Sequence, residues 1–131
     1  MKRLKFWLLA IVFPFVIING IILYNIININ LSDLNGEGRI VSTINSPDNS
    51  YVAEIRLIDK NGNATTPIQQ TVSISAINAD YNLLSEETVY WEIHAESETP
   101  KVSWLDDDSL NVNGIIIDIL KPETYYNWQN Q

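Results

Sequence analysis

Hydrophobic and polar positions divide the chain into a continuous apolar run and a long alternating region. No residue from Phe6 to Ser32 is charged, and most positions up to Ile29 are Ile, Leu, Val, Phe or Ala. A membrane-spanning helix needs about 20 apolar residues, so this run predicts one such helix. Beyond Gly38 the dominant period becomes two, which is typical of strands that bury one face.

The alternating region predicts a mainly β fold. Turn residues separate its segments, among them Ser46–Ser50 and the two-residue hairpin signal Asn113-Gly114. We expect an N-terminal transmembrane helix followed by a small antiparallel β-sandwich or a twisted meander sheet. A helical turn within 79–87 and a short C-terminal helix over Glu123–Trp128, after Pro122, are weaker expectations. The predicted strands are 39–45, 51–58, 69–78, 87–95, 101–105, 109–113 and 115–120.

The domain organisation follows from the apolar run and its flanks. We predict an anchor at 1–31, a polar linker at 32–38 and one β domain at 39–131. Three basic residues precede the run, so the N-terminus should be cytoplasmic and the domain outside. A cleaved signal peptide is the alternative, but no small-x-small cleavage site follows the run.

Charge and composition exclude several classes of function. The 131 residues carry a net charge of −8, and residues 1–5 contribute +3, so the remainder sums to −11. An acidic domain is repelled by nucleic acid and by anionic headgroups, so we expect no nucleic-acid partner. With one histidine and no cysteine, the sequence predicts neither a zinc site nor a disulfide.

Two segments resemble known β proteins. The turn Ser46–Ser50 reads Ser-Pro-Asp-Asn-Ser and is similar to the Ser-Pro-Asp-Gly turn that opens strands in propeller-like β modules. The segment Val102–Gly114, continuing to Asp118 and Tyr125, resembles the C-terminal half of a family of small membrane-tethered proteins from Gram-positive bacteria. The resemblance covers about residues 45–126. It implies a bacterial, membrane-anchored, mostly β domain and supplies no catalytic residue.

His94 is the sole candidate for a catalytic base. It shares the polar face of its predicted strand with Glu92 and Tyr90, and a carboxylate neighbour can orient such a base. No Gly-x-Ser-x-Gly elbow accompanies it, so an exposed structural histidine is the favoured interpretation.

The acidic run Asp106–Asp108 is the candidate cation site. Oxygen-rich loops bind calcium, but the EF-hand spacing fails because Leu110 and Asn111 occupy its next places. We expect a solvated turn whose carboxylates cap backbone N–H groups, with weak calcium binding as the alternative.

Aromatic residues supply the remaining candidates. Trp91 and Trp104 fall on the predicted inward face, so we expect core packing rather than a ligand groove. The tail Tyr125–Trp128 is expected to dock onto the sheet, with an exposed contact patch as the alternative. This tail and the strand face of Tyr90 and Glu92 are the predicted interaction faces.

These observations favour a single-pass, membrane-anchored binding or accessory protein of the bacterial cell envelope, with an envelope protein as its partner. We predict no enzyme activity, no cofactor, and no catalytic, cofactor-binding or metal residues. An envelope enzyme that uses His94, or a weak divalent-ion sensor at Asp106–Asp108, is the alternative.

The basic flank and the missing cleavage site generate a prediction of topology. A reporter fused after Gln131 should be active only outside the cytoplasm, and mass spectrometry should find Met1–Lys5 in the mature protein. A mature N-terminus between Gly20 and Gly38 would contradict the anchor.

Overall fold

The computed structural model describes residues 2–59, 67–77, 86–95 and 97–131. Within these ranges the chain forms one α-helix and eight strands, so the predicted mainly β fold behind an N-terminal helix is confirmed. In chain order the elements are α1 (Lys2–Ile27), β1 (Arg39–Asn45), β2 (Tyr51–Ile58), β3 (Gln69–Ala76), β4 (Glu87–Glu92), β5 (Val102–Trp104), β6 (Ser109–Val112), β7 (Ile115–Asp118) and β8 (Tyr126–Asn127).

Helix α1 is long and apolar enough to cross a membrane. Its stretch Phe6–Ile27 has a mean hydropathy of 2.6, which suits either an anchor or a signal sequence. Pro14 lies inside the helix, where it removes one backbone hydrogen bond. The amide of Asn19 donates to the Phe15 carbonyl oxygen at 2.7 Å, so this polar side chain bonds within its own helix.

The strands form two sheets that enclose the core. The first has the order β1-β2-β3-β4-β8; its first four strands are an antiparallel meander, and β8 runs parallel to β4. The second is the antiparallel sheet β5-β6-β7. Apolar side chains of both sheets meet between them, which gives a sandwich-like arrangement. The buried cluster is Ala53, Ile55, Val72, Ile74, Val89, Tyr90, Leu110, Val112, Ile117 and Ile119.

A β-bulge in β4 changes which side chains face this core. Val72 pairs with Tyr90 and Ser73 with Thr88, so Val89 has no partner of its own on β3. Val89 and Tyr90 both enter the core as a result. Trp91 moves to the opposite, outer face, where it is buried at 2 % exposure. Its predicted place on the inward face is therefore wrong, because simple alternation takes no account of a bulge.

Other differences from the predicted elements have local causes. Strand β4 ends at Glu92 because its carboxylate accepts the N–H groups of Ile93 and His94, which ends the ladder. The predicted C-terminal helix over Glu123–Trp128 is wrong, since β8 forms there between two short 3₁₀ turns. The predicted helical turn within 79–87 lies mainly outside the described residues.

The segment Ile29–Gly38, here called the strap, crosses the outer face of the first sheet. It includes the predicted linker. Leu34 is 5 % exposed and packs with Ile58 and Trp91. Asn35 accepts the Thr88 N–H at 2.8 Å beside the bulge. The strap is thus fastened to the sheet by a buried leucine and by a hydrogen bond next to the bulge.

Arg56 fastens the end of the strap. Its guanidinium contacts the carboxylates of Glu54 at 2.9 Å and Glu86 at 2.8 Å, and it donates to the Gly38 carbonyl at 3.1 Å. Gly38 has a φ of +82°, and a Cβ there would lie 2.6 Å from the Leu57 carbonyl oxygen. Only glycine fits this close approach to the edge of the sheet.

The packing of the strap predicts a stability difference between two leucine variants. Leu34→Ala should lower the free energy of unfolding by roughly 2–5 kcal/mol, since it removes a buried side chain. Leu105→Ala should cost no more than about 0.5 kcal/mol because Leu105 is 52 % exposed. Urea titration of the detergent-solubilised chain measures both. Equal losses would mean that residues 32–38 act as a free linker.

Candidate functional site

An open cleft lies where the end of β4 faces the β6–β7 hairpin. Its volume of about 650 Å³ is within the range usual for small-ligand sites. The strand β4 side contributes a carboxylate and an imidazole, and the facing side contributes an ammonium and an amide. The lining residues are Tyr90, Glu92, His94, Ala95, Ser97, Lys101, Asn113 and Ile115. The polar strand face that alternation predicted therefore borders this cleft.

Glu92 is the anchored anion of the cleft. Its Oε1 accepts the N–H groups of Ile93 at 2.8 Å and His94 at 2.9 Å, and its Oε2 accepts the Tyr126 hydroxyl at 2.7 Å. Burial alone would raise the pKa of Glu92, but these hydrogen bonds outweigh burial and lower it. The carboxylate is thus ionised at neutral pH and fixed in direction by three donors.

A polar network forms the floor of the cleft and ties the two sheets together. The Asn113 amide donates to the Tyr90 hydroxyl oxygen at 2.9 Å and, at 3.4 Å, to Gln70 Oε1. The amide of Gln70 in turn donates to the Ser97 carbonyl. Tyr90 is 1 % exposed, so its prediction as an exposed interface aromatic is wrong. Burial raises the pKa of its phenol, although the Asn113 hydrogen bond opposes the rise.

His94 lies on the rim and is not hydrogen-bonded to a carboxylate. Its Nδ1 is 3.8 Å from Glu92 Oε1, beyond hydrogen-bond distance, and its side chain is 69 % exposed. The ring instead meets Trp128 edge to face, with centroids 5.2 Å apart. This is the exposed strand-end histidine favoured by the sequence rather than a base oriented by an acid.

The acidic run Asp106–Asp108 acts as a structural turn. Asp106 Oδ1 accepts the Asp108 N–H at 2.9 Å, and Asp107 Oδ1 accepts the N–H of Asp48 at 3.1 Å. The expected capping of backbone N–H groups is therefore confirmed for these two carboxylates. Among the described residues no group of three or more acidic, histidine or cysteine side chains is placed to hold a metal ion.

The turn that receives Asp107 is itself held by a carboxylate. Asp48 accepts the Ser50 hydroxyl at 2.6 Å, the Ser50 N–H at 3.0 Å and the Ser46 hydroxyl at 2.7 Å. These bonds lower the pKa of Asp48. Asn49 takes a φ of 59°, the left-handed conformation that asparagine tolerates. The Ser-Pro-Asp-Asn sequence thus forms the compact turn expected of it.

The aromatic tail docks onto the sheet, as the sequence led us to expect. Tyr126 stacks on Tyr90 with centroids 5.2 Å apart, and Trp128 meets Trp91 at 5.6 Å. The Tyr125 hydroxyl donates to the Ile119 carbonyl at 2.8 Å. Burial, then the hydrogen bond and charge of Glu92, raise the pKa of Tyr126 to about 12.

The packing of Trp104 against the core agrees with the prediction from the sequence. Most of the residues that line the cleft, in contrast, could not be predicted from the sequence. Trp104 packs against the core, and its indole N–H donates to the Ile44 carbonyl at 3.0 Å. Alternation placed Glu92 and His94 on one face, and Asn113-Gly114 signalled the hairpin. Neither signal indicates that Lys101 and Asn113 lie opposite Glu92 and His94, because only the packing of the two sheets brings these residues together.

Comparison with known proteins places the chain in a family without assigning a role. Residues 2–131 match a family of unknown function, DUF5412, and the protein belongs to that family. The match extends on both sides of the residues 45–126 that carried the resemblance. No curated protein and no solved structure matches the chain. A Gram-positive source and a membrane tether shared by the family stay predictions.

The hydrogen bonds of Glu92 predict a pH-dependent contribution to stability. Its pKa is lower in the folded than in the unfolded chain, so its stabilisation is present above about pH 4.5 and is lost as the pH falls through the folded value. Glu92→Gln should therefore cost about 1–3 kcal/mol near neutral pH, and this gap should shrink in acid.

Chemical unfolding across this pH range measures the gap. Glu123→Gln, an exposed change of the same chemistry, is the control and should show neither effect. A Glu92→Gln gap that stays constant with pH would contradict the role assigned to the Glu92 carboxylate.

Proposed function

We propose that this member of the DUF5412 family is a membrane-anchored, extracytoplasmic binding module of the cell envelope, and that its cleft receives a basic segment of another envelope protein. The observation that carries the proposal is the carboxylate of Glu92, ionised and fixed by three hydrogen bonds in the wall of an open cleft. The two main-chain N–H donors hold the carboxylate in direction, so it can accept an ammonium or guanidinium group in place of the Tyr126 hydroxyl.

Overall charge supports a basic partner. The chain beyond residue 5 sums to −11, from −8 overall and +3 in residues 1–5. Such a field attracts basic protein segments over several ångströms and repels nucleic acid and anionic lipid. Lys101, across the cleft from Glu92, favours a partner that presents an oxygen acceptor beside its basic group. A peptide segment, with its carbonyl groups, meets both requirements.

The proposed location rests on α1 and its flank. Lys2, Arg3 and Lys5 precede the apolar stretch Phe6–Ile27, an arrangement that keeps the N-terminus cytoplasmic and sends the β domain outside. The acidic domain would then face a space in which basic segments of other membrane proteins are accessible. The cleft would lie close to the outer surface, since Ile29, two residues beyond the helix, is bonded to Asn127 and the adjacent Tyr126 is bonded to Glu92 in the cleft wall.

Binding suits the geometry better than turnover. His94 has no hydrogen bond to Glu92 that would orient it as a base, since its Nδ1 lies 3.8 Å from Glu92 Oε1. The alternatives named from the sequence, a His94 enzyme and an ion sensor at Asp106–Asp108, are separated from binding by the following experiment.

A tri-lysine peptide with blocked ends is the probe, and the same peptide with acetylated lysines is its uncharged control. Binding to the full chain in neutral detergent is measured by tryptophan fluorescence or calorimetry. Glu92→Gln should weaken binding roughly tenfold or more, because one charged hydrogen bond is lost. Glu123→Gln, which removes an exposed carboxylate outside the cleft, should change it less than about twofold.

The outcomes separate a site from a general charge effect. Equal weakening by Glu92→Gln and Glu123→Gln would reduce the interaction to bulk charge and overturn the cleft as its location. Loss of the cellular phenotype in a folded His94→Ala chain that still binds the peptide would favour the enzyme. A calcium-dependent rise in melting temperature, abolished by Asp107→Asn, would favour the ion sensor.

A further inference from the structure

One short segment of the chain contacts both the wall of the cleft and the end of α1. Residues Tyr126–Gln129, here called the C-terminal segment, follow β4 along the edge of the first sheet. On one side Tyr126 is bonded to Glu92 in the cleft wall. On the other side the segment bonds to residues Ile27–Ile29, here called the helix exit.

The grip on the helix exit consists of side-chain hydrogen bonds. The Gln129 amide donates to the Ile27 carbonyl at 3.1 Å, and its Oε1 accepts the Ile29 N–H at 3.0 Å. The Asn127 amide donates to the Ile29 carbonyl at 3.0 Å. The first of these bonds gives a partner to a carbonyl that the helix leaves unpaired at its end, and the other two pair the peptide groups of Ile29 just beyond it.

The C-terminal segment is held mainly by its side chains. Its strand pairs with β4 at only two positions, Tyr90 with Tyr126 and Trp91 with Asn127. Side chains make the other contacts. The Tyr126 hydroxyl donates to Glu92, the Tyr126 ring stacks on Tyr90, and Trp128 packs against Trp91 and His94. A two-residue parallel strand is too short to be stable alone, so these side chains decide its position.

We propose that the Glu92–Tyr126 hydrogen bond is a latch that couples the cleft to the helix exit. A basic group that binds Glu92 competes with the Tyr126 hydroxyl for the carboxylate. Release of Tyr126 loosens the C-terminal segment, and with it the bonds of Asn127 and Gln129 to the helix exit. Occupancy of the cleft is thereby transmitted to α1, the proposed anchor; this step rests on the function proposed above.

The link between the Tyr126 hydroxyl and the bonds at the helix exit is tested first, without a ligand. Hydrogen exchange of the Ile29 amide, whose N–H donates to Gln129, reports the grip directly in the full chain in lipid nanodiscs. Tyr126→Phe removes the latch hydroxyl and should speed this exchange roughly tenfold. Tyr125→Phe is the matched control, since it removes the neighbouring hydroxyl bonded to Ile119, and should leave Ile29 unchanged.

The amide of Val72, in the buried core, monitors global stability in both variants, and its exchange should rise much less than that of Ile29 in Tyr126→Phe. The latch would be contradicted if the exchange rate of Ile29 were unchanged in Tyr126→Phe. It would also be contradicted if Ile29 exchange rose equally in Tyr125→Phe, or if Val72 exchange rose as much as Ile29 exchange.

The effect of cleft occupancy on the helix exit is tested by adding the blocked tri-lysine peptide to the unsubstituted chain. Saturating peptide should speed Ile29 exchange, and the same addition to Tyr126→Phe should produce no further change. Bound peptide with unchanged Ile29 exchange would overturn the transmission. If the peptide does not bind but Tyr126→Phe still loosens Ile29, the proposed function fails while the latch is supported.

Discussion

The unpaired peptide groups at the end of α1 impose the constraint on which the rest of the structure depends. A helix end leaves carbonyl groups without partners, and the peptide groups just beyond it also need partners where they are partly buried. Gln129 and Asn127 supply the missing partners from the far end of the sequence, about 100 residues away. The last residues of the chain therefore have to return to the first element, and β8 is the parallel strand that brings them there.

The bulge in β4 allows the C-terminal segment to reach the helix exit while a cleft remains at the end of β4. By placing Val89 and Tyr90 together in the core, it turns Trp91 to the outer face, where Trp91 meets Leu34 of the strap and Trp128 of the C-terminal segment. Without the extra residue, Trp91 would point inward and the strap and Trp128 would lose the largest side chain that they pack against on the outer face. The same shift brings Tyr90 to the floor of the cleft. One inserted residue thus positions both the candidate site and the joint with the helix.

Much of the fold could be predicted because local rules dominate it. Period-two alternation located β2 to β5, turn residues delimited β6 and β7, and Asn49 and Asn113 occupy left-handed turn positions that asparagine tolerates. The bulge, the two residues of β8 and the fastening of the strap could not be predicted. They arise from pairing between distant segments, and the strap's three apolar residues, Ile29, Leu31 and Leu34, stand amid polar neighbours without a regular period. For the same reason the sequence identified Glu92 and His94 as neighbours on one face but not Lys101, Asn113 or Tyr126 around them.

The strap and the C-terminal segment fix the β domain to α1 rather than leaving it on a flexible tether. ¹⁵N relaxation of the full chain in lipid nanodiscs tests this most directly, because it reports the tumbling of each backbone amide. Amides in β2 and β3 should share the slow tumbling of the disc, as those of α1 do. Faster, independent tumbling of the β2 and β3 amides would contradict it.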